Sequence, residues 1–224
     1  MKLESIDKLG GQVAAPAREG LATVKVWDLP TRVFHWLLAA SFAGAYLTSE
    51  SERLQNIHVM LGYTVAGLIG FRLVWGLIGT RYARFGSFLF PPSRVVGYLR
   101  SLLSRAPEHH VGHNPAGAVA IFLLLGLGLL TVLSGFANYQ ELGGEWLEEL
   151  HEGMAGTMLA VVAVHVAGVA VSSFLHKENL VAAMISGNKP GTPDQCIAKS
   201  RVVVGLLLLA AVVGGWVANL AGWI

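Results

Sequence analysis

The sequence has little charge and a single cysteine, and each shortage excludes classes of protein. Of its 224 residues only 13% are charged while 54% are hydrophobic. Soluble domains carry about 25% charged residues, so this chain cannot cover a water-soluble core and is expected to lie in a membrane. With only Cys196, it can form no internal disulfide framework and contains no CxxCH attachment motif. The mild net charge of +2 gives no reason to expect nucleic-acid binding.

Motifs of nucleotide-dependent and zinc-protease chemistry are also missing. The chain contains no GxxxxGK[ST], no GxGxxG after a strand pattern and no HExxH. Nucleotide-dependent enzymes and zinc proteases therefore have no support in the sequence.

Long apolar runs dominate what is present. They cover about residues 33–49, 57–79, 115–137, 150–175 and 201–223. A membrane-spanning helix needs about 20 apolar residues, so we predict five spanning helices, with a merely peripheral last run as the alternative. Residues 1–24 lack the apolar stretch of a signal peptide and are interpreted as a flexible cytoplasmic tail. Short interfacial helices are expected over residues 91–105 and 178–186.

The distribution of charge predicts the orientation of the chain. Most Lys and Arg residues lie in residues 1–32, 81–105 and 177–201, which share one side if five helices cross. By the positive-inside rule this side is cytoplasmic. The chain is then expected in a bacterial inner membrane, with the N-terminus in the cytoplasm and the C-terminus in the periplasm.

The predicted outer side is acidic. It carries seven glutamates opposed only by Arg53. They are Glu50, Glu52, Glu141, Glu145, Glu148, Glu149 and Glu152. Two interpretations stay open: this surface steers a basic redox partner to the protein, or its loops are simply solvated.

Four histidines fall inside the apolar runs, where ionisable residues are costly and are usually functional. They are His35, His58, His151 and His165. A single histidine in such a run more commonly packs against other side chains or lies at the membrane interface. His151 and His165, however, are 14 residues apart, which places them on one helix face about 21 Å apart in height.

The up-and-down order of the helices then pairs the histidines by depth. His35 lies level with His165 on the cytoplasmic half, and His58 lies level with His151 on the outer half. Two stacked pairs of imidazoles, each drawn from two helices, are what two bis-histidine haems require. With both axial positions of iron filled, electron transfer is the expected activity.

Two further residues lie near the predicted inner pair. Arg72 follows His58 by 14 residues and therefore reaches the level of His35. Its guanidinium either binds a haem propionate or extends to the interface. His113, before the third run, is either interfacial or in contact with a propionate or a quinone. His109, His110 and His176 are interpreted as surface residues.

Several separated motifs resemble the bacterial cytochrome b561 family and its near relatives, the b-type cytochrome subunits of nickel–iron hydrogenases. They are WDLPTRVFHW at 27–36, Ile57-His58 with Gly62-Tyr63, FRLVWG at 71–76, GHNP at 112–115, LHE at 150–152 with His165, and KEN at 177–179. The resemblance covers about residues 25–189.

This resemblance implies a four-helix core that holds two b haems. It assigns His35 and His165 to the cytoplasmic haem and His58 and His151 to the outer one. It further implies electron transfer between quinone and a periplasmic partner such as a hydrogenase, a c-type cytochrome or another reductase. A run at 201–223 departs from the four-helix pattern of many members.

The predicted fold is thus all-α and integral to the membrane, a four-helix haem-binding bundle with a fifth C-terminal transmembrane helix. The predicted segments are a tail (1–24), a dihaem core (25–189) and a linker with the fifth helix (190–224). We expect an electron-transfer subunit rather than a stand-alone enzyme, with quinone near His35, His113 and Arg72.

Two alternatives remain open at this point. One is a superoxide-oxidising quinone reductase, which some relatives resemble, although the acidic outer side would repel an anionic substrate. The other is a haem-free membrane subunit whose histidines relay protons or only pack.

Overall fold

The structure, a computed structural model, describes residues 22–104 and 107–223. Within these ranges the chain forms seven α-helices and one two-stranded sheet. The helices are α1 (Leu29–Thr48), α2 (Gln55–Ile78), α3 (Pro92–Ser101), α4 (Pro115–Tyr139), α5 (Trp146–Leu175), α6 (Leu180–Ser186) and α7 (Val202–Leu220), and the strands are β1 (Ala22–Lys25) and β2 (Asn188–Gly191). Residues 1–21 of the predicted tail, and Arg105 of the predicted basic loop, lie outside the described residues.

Each of the five apolar runs contains one long helix, as predicted. Four helical segments are long and apolar enough to cross a membrane: Glu52–Ile78, α4, α5 and α7. Helix α1 has 20 residues but is less apolar, and it packs against α2 and α7. The chain is therefore a multi-pass membrane protein, and the crossing of α1 stays a prediction.

Successive long helices run in opposite directions, so the bundle has two distinct ends. At one end β1 pairs with β2 close to the beginning of α1, and we call this the sheet end. At the other, which we call the acidic end, lie the loops between α1 and α2 and between α4 and α5. The short helices α3 and α6 that the sequence predicts are both present near the sheet end.

The long helices pack as two hairpins, α1 with α2 and α4 with α5, joined by contacts between α2 and α4. Phe34, Leu68 and Leu125 form the centre of this apolar core. Among the described residues α5 shares its extensive interface with α4 and has none of similar size with α1 or α2. The face of α5 that points toward the α1–α2 hairpin is therefore available for other contacts.

Asp28 ties the beginning of α1 to the end of α2. The side chain is 1% exposed, and its Oδ1 accepts a hydrogen bond of 2.8 Å from the Thr31 N–H as the N-cap of α1. Its Oδ2 accepts from Trp75 Nε1 at 3.0 Å and from Thr80 Oγ1 at 2.7 Å. One buried carboxylate thus satisfies donors from three parts of the chain.

The two strands close the sheet end, and they correct the predicted boundary of the tail. β1 and β2 are antiparallel, with Ala22 opposite Gly191 and Lys25 opposite Asn188. Residues 22–24 therefore belong to a sheet rather than to a flexible tail, because their backbone groups pair with β2. Before β2, Gly187 has φ +83° and its carbonyl accepts from the N–H groups of Val26 and Trp27 at 2.8 and 3.1 Å. A side chain there would be strained.

Candidate functional site

His58 on α2 and His151 on α5 face each other near the acidic end, and their ring centroids are 6.0 Å apart. The Nδ1 atom of His58 lies 2.9 Å from the carbonyl oxygen of Ala45, and that of His151 lies 2.9 Å from the carbonyl oxygen of Thr131. A carbonyl oxygen only accepts, so each Nδ1 carries the hydrogen and donates. The lone pair of each Nε2 is therefore available to a metal.

The spacing of the two rings suits a single metal between them. Bonds from a metal to imidazole nitrogen are about 2 Å long, and each ring centroid lies beyond its ligating nitrogen. A separation of 6.0 Å is therefore consistent with one imidazole on each side of an ion. Within the described residues no group of three or more His, Cys, Asp or Glu side chains could hold a metal. The histidines thus occur as a pair rather than as part of a larger cluster.

Gly135 on α4 supports the ring of His151, a role that the sequence analysis missed. A Cβ atom at this position would lie 2.7 Å from both Cε1 and Nδ1 of His151, which is closer than such atoms normally approach. The residue is one of 27 glycines in the chain, and nothing in the local sequence distinguishes it. Only the packing of α4 against α5 shows that a side chain here would displace the histidine.

His35 on α1 and His165 on α5 lie toward the sheet end. The two side chains are within electrostatic range of each other. The Nδ1 atom of His35 is buried and has no hydrogen-bond partner among the described residues. His58 thus lies beside His151 toward the acidic end, and His35 lies within electrostatic range of His165 toward the sheet end, while their roles as haem ligands stay a prediction.

The guanidinium of Arg72 is buried beside aromatic rings of the segment that follows α2, and its predicted contact with a haem propionate stays a prediction. The residue is 3% exposed, and its Cζ lies 4.7 Å from the centre of the Phe85 ring and 5.9 Å from that of Phe88. Its Nη1 is buried without a hydrogen-bond partner in the part of the chain that the structure describes. Buried donors normally have acceptors, so this group is suited to an acidic oxygen of a bound molecule.

His113 lies close to Arg72, at the sheet end. Its ring centroid is 4.6 Å from that of Trp27 and 4.3 Å from that of Phe88. Burial, together with the nearby charges of Arg72 and Lys189 and with His165, lowers the pKa of His113 to about 3. The imidazole is therefore neutral at pH 7. Its Nδ1 is buried and, within the described residues, has no partner.

The glycines of the spanning helices leave space between them. At nine positions an added Cβ would meet no atom of the described chain within 4 Å. These are Gly62, Gly67, Gly70, Gly126, Gly153, Gly156, Gly168, Gly214 and Gly215. Gly128 is different, because its Cβ would lie 2.9 Å from Ile69 and the residue therefore serves the packing of α2 against α4.

Together these observations define a class of protein: a multi-pass membrane bundle with paired histidines between α5 and the first helical hairpin. Residues 26–187 match the prokaryotic cytochrome b561 family, and the chain belongs to this family. The chain is therefore a b-type cytochrome of the membrane, which binds haem b and takes part in electron transfer.

Curated relatives carry closely similar names. A probable Ni/Fe-hydrogenase B-type cytochrome subunit of Azotobacter chroococcum mcd 1 is 29% identical over 214 residues, which cover 73% of this chain and 87% of the relative. One of Rhizobium leguminosarum bv. viciae is 27% identical, with coverages of 75% and 89%. A probable Ni/Fe-hydrogenase 1 B-type cytochrome subunit of Escherichia coli (strain K12) is 26% identical, with coverages of 52% and 60%. No solved structure matches the chain.

The residues present fit haem b on structural grounds. His58 and His151, whose Nδ1 atoms donate to backbone carbonyl groups, would offer Nε2 as ligands to the iron of a haem. The buried Nη1 of Arg72 offers a donor to a propionate.

Proposed function

We propose that the chain transfers electrons across the bacterial inner membrane, between a periplasmic redox partner and the quinone pool. It holds two haems b, each between two histidines. The observation that carries this proposal is the pairing of His58 with His151 and of His35 with His165 at two depths along α5. Two cofactors stacked along one helix divide the thickness of the membrane into shorter electron-transfer distances.

The side chains of the bundle bind and orient these groups. His58 and His151 hold the outer haem, and the carbonyl groups of Ala45 and Thr131 fix the two ring orientations. His35 and His165 hold the inner haem, and the Arg72 guanidinium donates hydrogen bonds to one of its propionates. When bound, haem b supplies reversible one-electron chemistry at iron.

The quinone site is proposed beside the inner haem, near His35, His113 and Arg72. Neutral His113, whose Nδ1 is buried without a partner within the described residues, offers a hydrogen bond to a quinone oxygen. The aromatic rings of Trp27 and Phe88 around His113 offer an apolar surface for the quinone ring. This end of the bundle is cytoplasmic in the proposed orientation, because the basic loops lie there.

The periplasmic partner is proposed to dock on the acidic end. The side chains of Glu141, Glu145, Glu148 and Glu149 are exposed there, and such a surface attracts a basic protein by long-range electrostatics. The printed names of the relatives favour a hydrogenase as this partner, with a c-type cytochrome as the other candidate. The same charges disfavour the superoxide-oxidising alternative.

A haem count on the purified protein tests the proposal. We expect two non-covalent haems b per chain in a reduced-minus-oxidised spectrum, and reduction of both by a short-chain ubiquinol. One haem per chain would show that a histidine pair is misassigned. Folded protein without haem would overturn the proposal, and two haems that no quinol reduces would overturn the quinone assignment alone. Reduction of quinone with superoxide as the sole donor would instead favour the enzyme alternative.

A change of Gly135 to alanine is expected to weaken binding of the outer haem. The added Cβ would lie 2.7 Å from the His151 ring and must push this ligand out of place. We expect the haem content of Gly135→Ala to fall from two toward one per chain in the same spectrum. Gly126→Ala on the same helix is the matched control, because its Cβ would meet no atom within 4 Å. Equal haem content in both variants would contradict the role of Gly135.

A further inference from the structure

A cluster of charged and titratable side chains lies at the sheet end, outside the proposed haem sites. Its centre is Glu178, whose Oε2 is 3.1 Å from His109 Nε2 and whose Oε1 is 3.3 Å from Lys189 Nζ. The Lys189 ammonium also donates to the carbonyl oxygen of His110 at 3.2 Å. The rings of His109 and His176 are 5.5 Å apart. Of the three histidines predicted to be surface residues, His109 is exposed as expected, whereas His110 and His176 are partly buried.

Burial decreases sharply along this cluster. The side chains of Glu178 and Lys189 are only 7% and 3% exposed, whereas that of His109 is 39% exposed. One end of the cluster therefore meets water, and the other lies inside the protein. A buried ion pair is weak evidence for a purely stabilising role, because desolvation of two charges opposes their attraction.

The inner end of the cluster approaches the proposed quinone site. Lys189 is close enough to His113 for its charge to lower the pKa of that histidine. His113 in turn lies beside Arg72, which acts on the same imidazole. Polar contacts thus run from exposed His109 through Glu178 to Lys189, and the charge of Lys189 acts on His113.

The charges around Glu178 favour its ionised form. Burial would raise the pKa of Glu178, but the hydrogen bond from His109 and the charge of Lys189 together lower it below its ordinary value. Burial lowers the pKa of Lys189 while Glu178 opposes that effect. Near neutral pH we take Glu178 as ionised and Lys189 as protonated. Glu108 lies 3.6 Å from His110 Nε2, Tyr98 packs on His110, the charge of Arg94 acts on His110, and His176 is a further titratable neighbour of Glu178.

We propose that Glu178 exchanges protons between cytoplasmic water and the quinone site, with His109 as its solvent-exposed partner and Lys189 as its link toward His113. This inference rests on the proposed quinone reaction. Reduction of a quinone to a quinol consumes two electrons and two protons and forms two O–H bonds. The electrons come from the electron-transfer activity of the bundle, and the protons come from water through His109 and Glu178. Oxidation of a quinol releases both protons along the same groups in reverse.

The test uses the full-length, haem-loaded protein in phospholipid vesicles. We expect a short-chain ubiquinol to reduce the haems of Glu178→Gln about tenfold more slowly than those of the parent protein. This loss is smaller than the loss of rate that follows removal of a direct general acid. Reduction by dithionite needs no quinone proton and is expected to be unchanged. Glu108→Gln is the matched control, since Glu108 contacts His110 rather than Lys189, and it should react like the parent.

Two further measurements separate proton exchange from a structural role. The double variant Glu178→Gln with Lys189→Met leaves no unpaired buried charge, so it keeps the proposal testable if the single variant fails to fold. Added acetate should restore the quinol rate of Glu178→Gln, since a small weak acid can carry protons in place of the carboxylate, and the double variant, which also lacks Lys189, should stay slow. An infrared redox difference spectrum should show a carboxyl signal in the parent that is absent from Glu178→Gln.

The outcomes distinguish the inference from the function on which it rests. A parent protein that does not react with quinol would overturn the quinone proposal and this inference with it. If the parent protein reacts with quinol and Glu178→Gln reacts at the same rate, only the role of Glu178 is overturned. A slow Glu178→Gln variant that acetate does not rescue would show a structural role and overturn it as well.

Discussion

Replacement of His58 or His151 by alanine is expected to remove one haem b per chain and to leave the other bound. The two rings face each other at 6.0 Å, and each is oriented by its own backbone carbonyl group. Loss of either imidazole leaves one axial position of the same iron without its ligand. The measurement is the haem content of each purified variant, with a redox titration to identify the haem that remains.

The inner pair is expected to give the complementary result. His35→Ala and His165→Ala should each remove the inner haem and keep the outer one, so the two sets of variants retain haems of different midpoint potential. His109→Ala is the control, because this histidine pairs with Glu178 and should leave both haems bound. Loss of the same haem from His35→Ala and His151→Ala would show that the pairing is wrong.

Replacement of Asp28 by alanine is expected to destabilise the protein by roughly 3–5 kcal/mol. The carboxylate is buried and accepts hydrogen bonds from the Thr31 N–H, Trp75 Nε1 and Thr80 Oγ1. Hydrogen bonds to a charged group contribute about 1.5–3 kcal/mol each, and donors left buried without an acceptor add a penalty. The loss of the α1 N-cap contributes about 1 kcal/mol of that total.

Thermal unfolding in detergent, followed by loss of the bound haem spectrum, measures this effect. Asp28→Asn should be less destabilising because the amide keeps one acceptor oxygen. Asp194→Ala is the matched control, since this aspartate is exposed at the same end of the bundle and should change stability by no more than about 0.5 kcal/mol. An unfolding midpoint of Asp28→Ala equal to that of the control would contradict the bridging role.

The helices could be predicted from the sequence because their signals are local. An apolar run is long enough to span a membrane or it is not, and the predicted runs differ from the observed helices by only a few residues at each end. Capping patterns also lie within a few residues, as in Asn114-Pro115 at the beginning of α4. The first strand was missed because β1 has four residues and pairs with a segment more than 160 positions away.

The histidine pairs could be predicted in part, less directly than the helices but better than the strand β1. A spacing of 14 residues on one helix fixes both depth and face, so His151 and His165 could be assigned to different levels from the sequence alone. Their partners on α1 and α2 followed from the alternating direction of spanning helices. The burial of Arg72 could not be predicted in this way, because the rings of Phe85 and Phe88 that cover it come from the segment after α2.

By itself, the sequence determined the membrane class, the helices, the depths of the four histidines and the family motifs, since each depends on residues near one another in the chain. Only the tertiary structure decided that Asp28 joins Trp75 and Thr80, that Gly135 makes room for His151, and that His109, Glu178 and Lys189 form one cluster. Periodicity tells on which face of a helix a side chain lies. It does not tell which side chain of another element that face will meet, and these contacts depend on how the helices pack.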